Sequence, residues 1–201
     1  MQLRMTEHFS VSPKYMLFMS ILFSLWSCGV EEPTDIPRPK GYYRIAFPER
    51  SYTESKDSCP FTFEHPVYSQ VVYTGNHRSK CWPDIFFPQF KARLHLSYSP
   101  INNNLEQFLE DSRTLTYKHT VKANDIREQF IQIPDKRVFG TLYTVSGNAA
   151  SAIQFHVTDS SRHFMRGSLY FNVEPNSDSL APVIAFLASD VEHFIQSLRW
   201  K

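Results

Sequence analysis

Hydrophobic and polar positions alternate most clearly between Ser151 and Thr158. Ser151, Ile153, Phe155 and Val157 fall on one face of a strand, and Ala152, Gln154, His156 and Thr158 on the other. Thr158-Asp159-Ser160-Ser161 is turn chemistry, because short oxygen-bearing side chains bond the nearby backbone. Phe164–Phe171 then runs apolar and aromatic again, so the segment predicts a hairpin. Upstream, Tyr42–Phe47 reads as a short strand closed by Pro48, and Phe61–Glu64 as another between Pro60 and Pro66, with Val67–Lys80 irregular after it. Cys81–Phe87 and Ala92–Tyr98 read as a hairpin turned at Pro88-Gln89. In its second strand Leu94, Leu96 and Tyr98 oppose Arg93, His95 and Ser97, which predicts one wet face. Ile126–Ile133 and Arg137–Val145 form a further pair turned at Pro134-Asp135.

Two stretches carry helical periodicity. In the first, Leu105, Phe108, Leu109, Ser112 and Leu115 share a face, any of Asn102, Asn103 and Asn104 can cap it, and Glu106 and Glu110 suit its positive end. In the second, Leu180, Val183, Ile184, Leu187, Val191, Phe194, Ile195 and Leu198 make a continuous apolar stripe, with Asp178 or Ser179 as cap and Pro182 tolerated near the start. The element order predicts a single α+β domain over 42–201, a mostly antiparallel sheet packed by two helices. That order resembles the PsbP/Mog1-like sandwich, a likeness of fold that carries no function.

The N-terminus reads differently. Lys14 precedes an apolar run, Tyr15 to Leu25, of signal-peptide length, ending Leu25-Trp26-Ser27-Cys28. An aliphatic residue three before a cysteine and a small one just before it resemble the lipobox of bacterial lipoproteins, although Trp26 stands where a smaller residue is usual. Residues 1–27 are therefore expected to be a lipoprotein signal peptide, and Cys28 the acylated first residue of the mature chain; the alternative is an uncleaved signal anchor. Residues 28–41, rich in proline and acid, form neither helix nor central strand and read as a tether.

Charge narrows the partners. Taking Arg4, Lys14 and Glu7 away from the 21 basic and 20 acidic residues leaves the two signs equal. A neutral chain has no electrostatic reason to bind nucleic acid. With Cys28 acylated, Cys59 and Cys81 remain as a pair, and an exported compartment permits a disulfide between them; the alternative is two buried thiols. His156, Asp159 and His163 could converge at the hairpin tip, but two imidazoles and a carboxylate across a turn make a thin metal site, and Asp159 is more simply a turn former. No nucleophile elbow, phosphate loop or dinucleotide fingerprint is present, and His95 and His119 have no acidic companion at useful spacing. Neither catalysis, cofactor nor metal is expected.

Several strings carry a resemblance. Gly147-Asn148-Ala149-Ala150-Ser151, Gln154-Phe155 with Thr158-Asp159-Ser160, His163-Phe164 with Arg166-Gly167 and Leu169-Tyr170-Phe171, and Asp178 to Ile184 are similar to the GldD family of gliding-motility lipoproteins. Pro39 to Ile45, Cys59 to Glu64 and Lys91 to Tyr98 extend the likeness in order. It implies an envelope lipoprotein needed for gliding and type IX protein secretion, held to a membrane by its lipid, facing the periplasm and working with other proteins of that machinery. The rival expectation is a periplasmic enzyme acting on envelope carbohydrate or peptide. The polar residues of the hairpin's approach and tip, Asn148, Gln154, Thr158, Asp159 and Arg166, are the expected partner surface.

Overall fold

The structure is a computed structural model, and it describes residues 44–118, 123–173 and 176–201. The signal peptide, Cys28 and the tether lie outside the described residues, as does His119. Among the described residues eleven strands and two α-helices follow one another: β1 Tyr52–Glu54, β2 Phe61–Thr62, β3 Glu64–Pro66, β4 Gln70–Val72, β5 Asp84–Phe87, β6 Ala92–Pro100, α1 Leu105–Tyr117, β7 Ala123–Ile133, β8 Val138–Gly147, β9 Ser151–Thr158, β10 His163–Phe171, α2 Ser177–Ser197 and β11 Arg199–Trp200. Seven strands form one antiparallel sheet in the order β4-β5-β6-β10-β9-β8-β7, and two small sheets pair β1 with β3 and β11 with β2. The expected α+β architecture, a mostly antiparallel sheet with two helices, is the one observed.

The β9–β10 hairpin sits in the middle of that sheet, and every residue of β9 is buried. A two-faced apolar/polar strand can be wholly buried only if both faces are covered, and here each face takes a helix. Asp159 fixes the turn. Its Oδ1 accepts from the backbone N–H of Ser161, Arg162 and His163 at 3.0, 2.8 and 2.8 Å, and its Oδ2 accepts from the Ser161 hydroxyl. Ser160 takes the left-handed conformation the turn requires (φ 65°).

On one face lies the core. Ile153, Phe155, Val157, Met165 and Leu169 meet Leu187, Val191, Phe194, Ile195 and Leu198 of α2. Fully burying each such side chain contributes about 1.5–3 kcal/mol. Phe155 and Phe194 rings stand 5.7 Å apart. Gly167 faces Phe155 across the strands, and a Cβ there would lie 2.3 Å from the ring. The glycine lets the ring lie against the β10 backbone. Asn176, not Asp178 or Ser179, caps α2, its side chain accepting from Ser179 N–H. After α2 the chain turns into β11, where Trp200 pairs with Phe61 and stacks its ring on His163 at 5.2 Å.

Several expectations are corrected. Residues 44–47 form no strand. Phe47 stacks instead on Phe186 at 4.5 Å, and Arg50 lies over the same ring, so aromatic docking takes the place of sheet pairing. The stretch read as irregular contains β4, and Cys81 lies ahead of β5 in a left-handed turn (φ 54°). A Cys59–Cys81 disulfide joins the two segments, with Cα atoms 5.6 Å apart. Asn104 is the N-cap position of α1 without a side-chain cap; its Oδ1 accepts from Asn102 N–H. Among the described residues, no helix is long and apolar enough to cross a membrane.

Candidate functional site: the polar face of the central strands

The other face of the sheet is polar, and strand register explains how. Glu128, Tyr143, Gln154, Ser168, His95 and Asp84 are successive cross-strand partners from β7 to β5. The neighbouring rung runs Phe130, Thr141, His156, Arg166 and Ser97. Side chains of period two, read in one strand as a polar half, thus become two mostly polar rows, one running from β7 to β5 and the other from β7 to β6.

Helix α1 lies on part of this face. Ser112 and Thr116, its buried residues, sit over β9. Thr116 Oγ1 donates to the Ser112 backbone oxygen at 2.9 Å and lies 3.4 Å from Gln154 Oε1, and Ser112 Oγ lies 3.5 Å from His156 Nδ1. Phe108 stacks on Phe164 at 5.2 Å. The expected apolar stripe is only partly used, since the helix is rotated toward Ser112 and Thr116 and Leu115 remains 43% exposed.

Arg166 is the centre of the site. Half-buried, it donates from Nη2 to Gln154 Oε1 at 2.6 Å. Gln154 Nε2, Arg166 Nε and the Ser168 hydroxyl are buried with no hydrogen-bond partner among the described residues. No carboxylate among the described residues pairs with Arg166, and burial pushes its guanidinium pKa down. The neighbouring carboxylate is already matched: Asp84 accepts from His95 Nδ1 at 2.8 Å and from Arg93 Nη1 at 3.0 Å. Burial first, and then the charge of Arg166, push the His156 pKa down to about 4, so the imidazole stays neutral. Burial alone would raise the Asp159 carboxyl, but the backbone N–H groups of Arg162, His163 and Ser161 outweigh it and hold the carboxyl well below the usual range.

Of the residues expected to face a partner, the structure brings only Gln154 and Arg166 together. Gln154, Thr158 and Asp159 are buried, at 1%, 5% and 3% exposure, which corrects their placing on a contact surface. Thr158 and Asp159 serve the turn, and Gln154 lies under α1. Asn148 is exposed in the β8–β9 loop, away from this constellation. His156 and His163 do not converge: they point to opposite faces, His156 toward α1 and His163 toward Tyr98 and Trp200. His95 does have an acidic companion, Asp84, one strand away. Linear spacing could not show it, because β5 and β6 bring them together by register.

Asp84, His95 and Ser168 share a rung in the order of a hydrolase triad. Ser168 Oγ, however, makes no bond to His95 and is buried, and it stands mid-strand, where ladder pairing occupies the backbone donors an oxyanion hole would need. What this face offers chemically is donors, more than its own acceptors use.

A second polar groove, of about 440 Å³, opens beside α2 and is lined by Glu54, Glu64, Lys136 and His193 among others. Glu54 and Glu64 are cross-strand partners, and His193 Nε2 bonds Glu64 Oε2 at 2.7 Å. Behind it Asp190, 2% exposed, accepts from the hydroxyls of Tyr52 and Tyr68 at 2.9 and 2.5 Å. Residues 122 or more positions apart meet here, and no local pattern announces them.

Comparison with known protein families matches residues 32–200 to the family described as gliding motility lipoprotein GldD. The chain belongs to the GldD family. Membership makes it a gliding-motility lipoprotein, lipid-anchored in the cell envelope. No curated protein matches the chain. Among solved structures, this GldD-family chain is similar to the solution structure of cyanobacterial PsbP (CyanoP) from Synechocystis sp. PCC 6803. Identity is 10%, the TM-score is 0.46, and the match covers 79% of this chain and 98% of that one.

Proposed function

We propose that this GldD-family lipoprotein is a non-catalytic contact module of the gliding and type IX secretion machinery. It faces the periplasm on its lipid anchor and holds another envelope protein of that machinery against the polar face around Arg166. The observation that supports a contact role is Arg166 itself: a half-buried cation without an acidic partner among the described residues, beside donors that none of those residues engages. Arginine suits such a place because its planar fork makes several directed bonds at once. The non-catalytic reading is supported by the same geometry, since Ser168 is buried and unbonded to His95. The test is Arg166→Gln, scored by thermal melting of the protein and, in cells, by gliding and secretion. A normal melt with lost gliding and secretion is expected. A normal melt with normal gliding and secretion overturns the contact role of Arg166, and a collapsed melt makes the residue structural.

A second reading, an enzyme acting on envelope carbohydrate or peptide, is favoured by the Glu54, Glu64 and His193 groove, where two carboxyl groups and an imidazole share one opening. Glu64→Gln is the discriminating change. Under the contact reading it leaves gliding intact, whereas loss of gliding with an unchanged melt would favour chemistry at that groove.

A further inference from the structure

We infer that an open groove beside α1, which Arg166 does not line, binds an uncharged sugar unit of a glycan. This goes beyond the contact reading and does not depend on it. The sequence of α1 prepares the groove. Glu106, Gln107, Glu110 and Arg113 recur at three- and four-residue steps, so they share one side of the helix, and Asn103 and Asn104 adjoin its start. Ser112 and Thr116 seat the helix on β9, and that seat brings the polar row alongside β8. Between the row and the sheet lies a cavity of about 700 Å³, inside the range of roughly 300–1,000 Å³ usual for small-molecule sites. Its sheet side is Tyr143 of β8 and His156 of β9, whose ring centroids stand 6.0 Å apart.

His156 distinguishes this groove from an ordinary furrow between helix and sheet. It is 6% exposed, and Phe164 stacks on its ring at 6.0 Å, which fixes the ring where it borders the cavity. Its Nδ1 lies 3.5 Å from the Ser112 hydroxyl, and its Nε2 has no hydrogen-bond partner among the described residues. Burial keeps the imidazole neutral, so it offers a hydrogen bond without a charge. The rest of the lining selects the ligand. Glu106 and Glu110 accept, the Arg113 guanidinium donates, and the Asn103, Asn104 and Gln107 amides do both. A sugar carries the complementary mixture, since every hydroxyl both donates and accepts, and its C–H faces suit Leu109 and the Tyr143 ring. Other classes fit less well. Two carboxylates repel an anion, and a cation would share the groove with Arg113. A peptide brings apolar side chains, and among the described residues lining the groove only Leu109 is wholly apolar.

The experiment titrates the full chain, in a detergent without a sugar headgroup, with two uncharged oligosaccharides, cellotetraose and tetra-N-acetylchitotetraose. Their charged relatives, the cationic glucosamine tetramer and the anionic galacturonate tetramer, and an uncharged peptide of serine and asparagine are titrated beside them. At least one uncharged oligosaccharide is expected to bind saturably, about tenfold or more tightly than the charged ones and the peptide. Glu106→Gln with Glu110→Gln, both at exposed positions, should weaken it about tenfold, the worth of a charge-assisted hydrogen bond. Arg127→Gln, at an exposed β7 position outside the groove, should change nothing. His156→Gln should also weaken binding. If that variant fails to fold, the ring is followed by NMR in the wild type, where its signals should shift as the sugar saturates. Four results overturn the inference: no binding of either uncharged oligosaccharide, tighter binding of a charged one or of the peptide, unchanged affinity in the double glutamate variant, or a folded His156→Gln of full affinity. Ring signals of His156 that stay in place at saturation overturn it equally.

Discussion

The seven-stranded sheet carries a helix on each face, and the two contacts are made of different material. Under α2 the strands present Ile153, Phe155, Val157, Met165 and Leu169, and the helix answers with side chains that lose nearly all contact with water. Under α1 the strands present Gln154 and His156, and the helix answers with Ser112 and Thr116 at hydrogen-bond distances of 3.4 and 3.5 Å. The first contact is non-directional and grows with area. The second depends on pairing donors with acceptors, and it leaves three buried polar atoms around Arg166 without a partner among the described residues. An unpaired buried group is a cost to folding. The difference teaches that α2 holds the domain together, while the α1 side keeps a polarity that folding does not require.

If so, truncating the α2 contact should do the most damage. Phe194→Ala removes a ring packed against Phe63 at 4.8 Å as well as against Phe155, and should lower stability by about 3–5 kcal/mol in denaturant unfolding. Thr116→Val on α1 should change it by no more than about 1 kcal/mol. Equal losses would erase the contrast.

Next in size is the staple at the edge of the α2-side core. Cys59 is part of that core, and its disulfide to Cys81 closes a loop around β2, β3 and β4, strands of only two or three residues each. Replacing both cysteines by alanine should cost about 3 kcal/mol, read as a shift in the unfolding midpoint at constant slope. A cost near zero would mean that the short strands hold without it.

These two regions were not equally legible in the sequence. The α2 stripe was readable because apolar residues at helical spacing have one use, burial, and the β9–β10 hairpin was readable because alternation ends in a run of turn formers. The polar face was not. Gln154 and Thr158 looked like surface because polar side chains usually are, and nothing local shows that a helix from residues 105–117 will cover Gln154 or that Thr158 will bond the backbone of its own turn. The Asp84–His95 pair and the Tyr52–Asp190–Tyr68 cluster are products of register and tertiary contact, and they carry no spacing to find. The strand expected over Tyr42–Phe47 does not form in its described residues, 44–47, for a related reason: Phe47 packs by its ring on Phe186, and apolar composition does not say whether ring or backbone will make the contact.

A third way to sharpen the contrast is pH. His156 remains neutral in the fold down to about 4, whereas in the unfolded chain it takes a proton near its ordinary 6.5. Between those values the unfolded state binds more protons, so acidification across this window favours unfolding, by about 2–3 kcal/mol in all. Above 6.5 the contribution is complete and constant. His65 and His163 are shifted the same way by burial, while Asp190, raised by burial, works in the opposite direction as the pH falls toward its ordinary 3.8, within the same window. The pertinent quantity is therefore the difference between wild type and His156→Gln. Wild-type stability should fall faster than the variant's from pH 6.5 to 4, and parallel curves would show that His156 meets water on the α1 side.

The smallest expected effect tests the contrast most directly, because it sets two serines of one hairpin against each other. Ser151 faces the α2 side, and its hydroxyl donates to the backbone oxygen of Leu169 at 2.9 Å and lies 3.2 Å from that of Ile153. Ser168 faces the polar side, also buried, and its hydroxyl has no partner among the described residues. Removing a satisfied buried hydroxyl loses its bond and leaves an acceptor short, so Ser151→Ala should cost about 1 kcal/mol. Removing an unsatisfied one relieves a desolvation cost, so Ser168→Ala should leave stability unchanged or raise it by up to about 1 kcal/mol. Function should move the other way, with gliding intact in Ser151→Ala and impaired in Ser168→Ala. A side chain whose loss steadies the fold and harms the cell is held for something other than folding. If Ser168→Ala proves as destabilising as Ser151→Ala, its hydroxyl is bonded in the folded protein, and the polar face is better explained as the seat of α1.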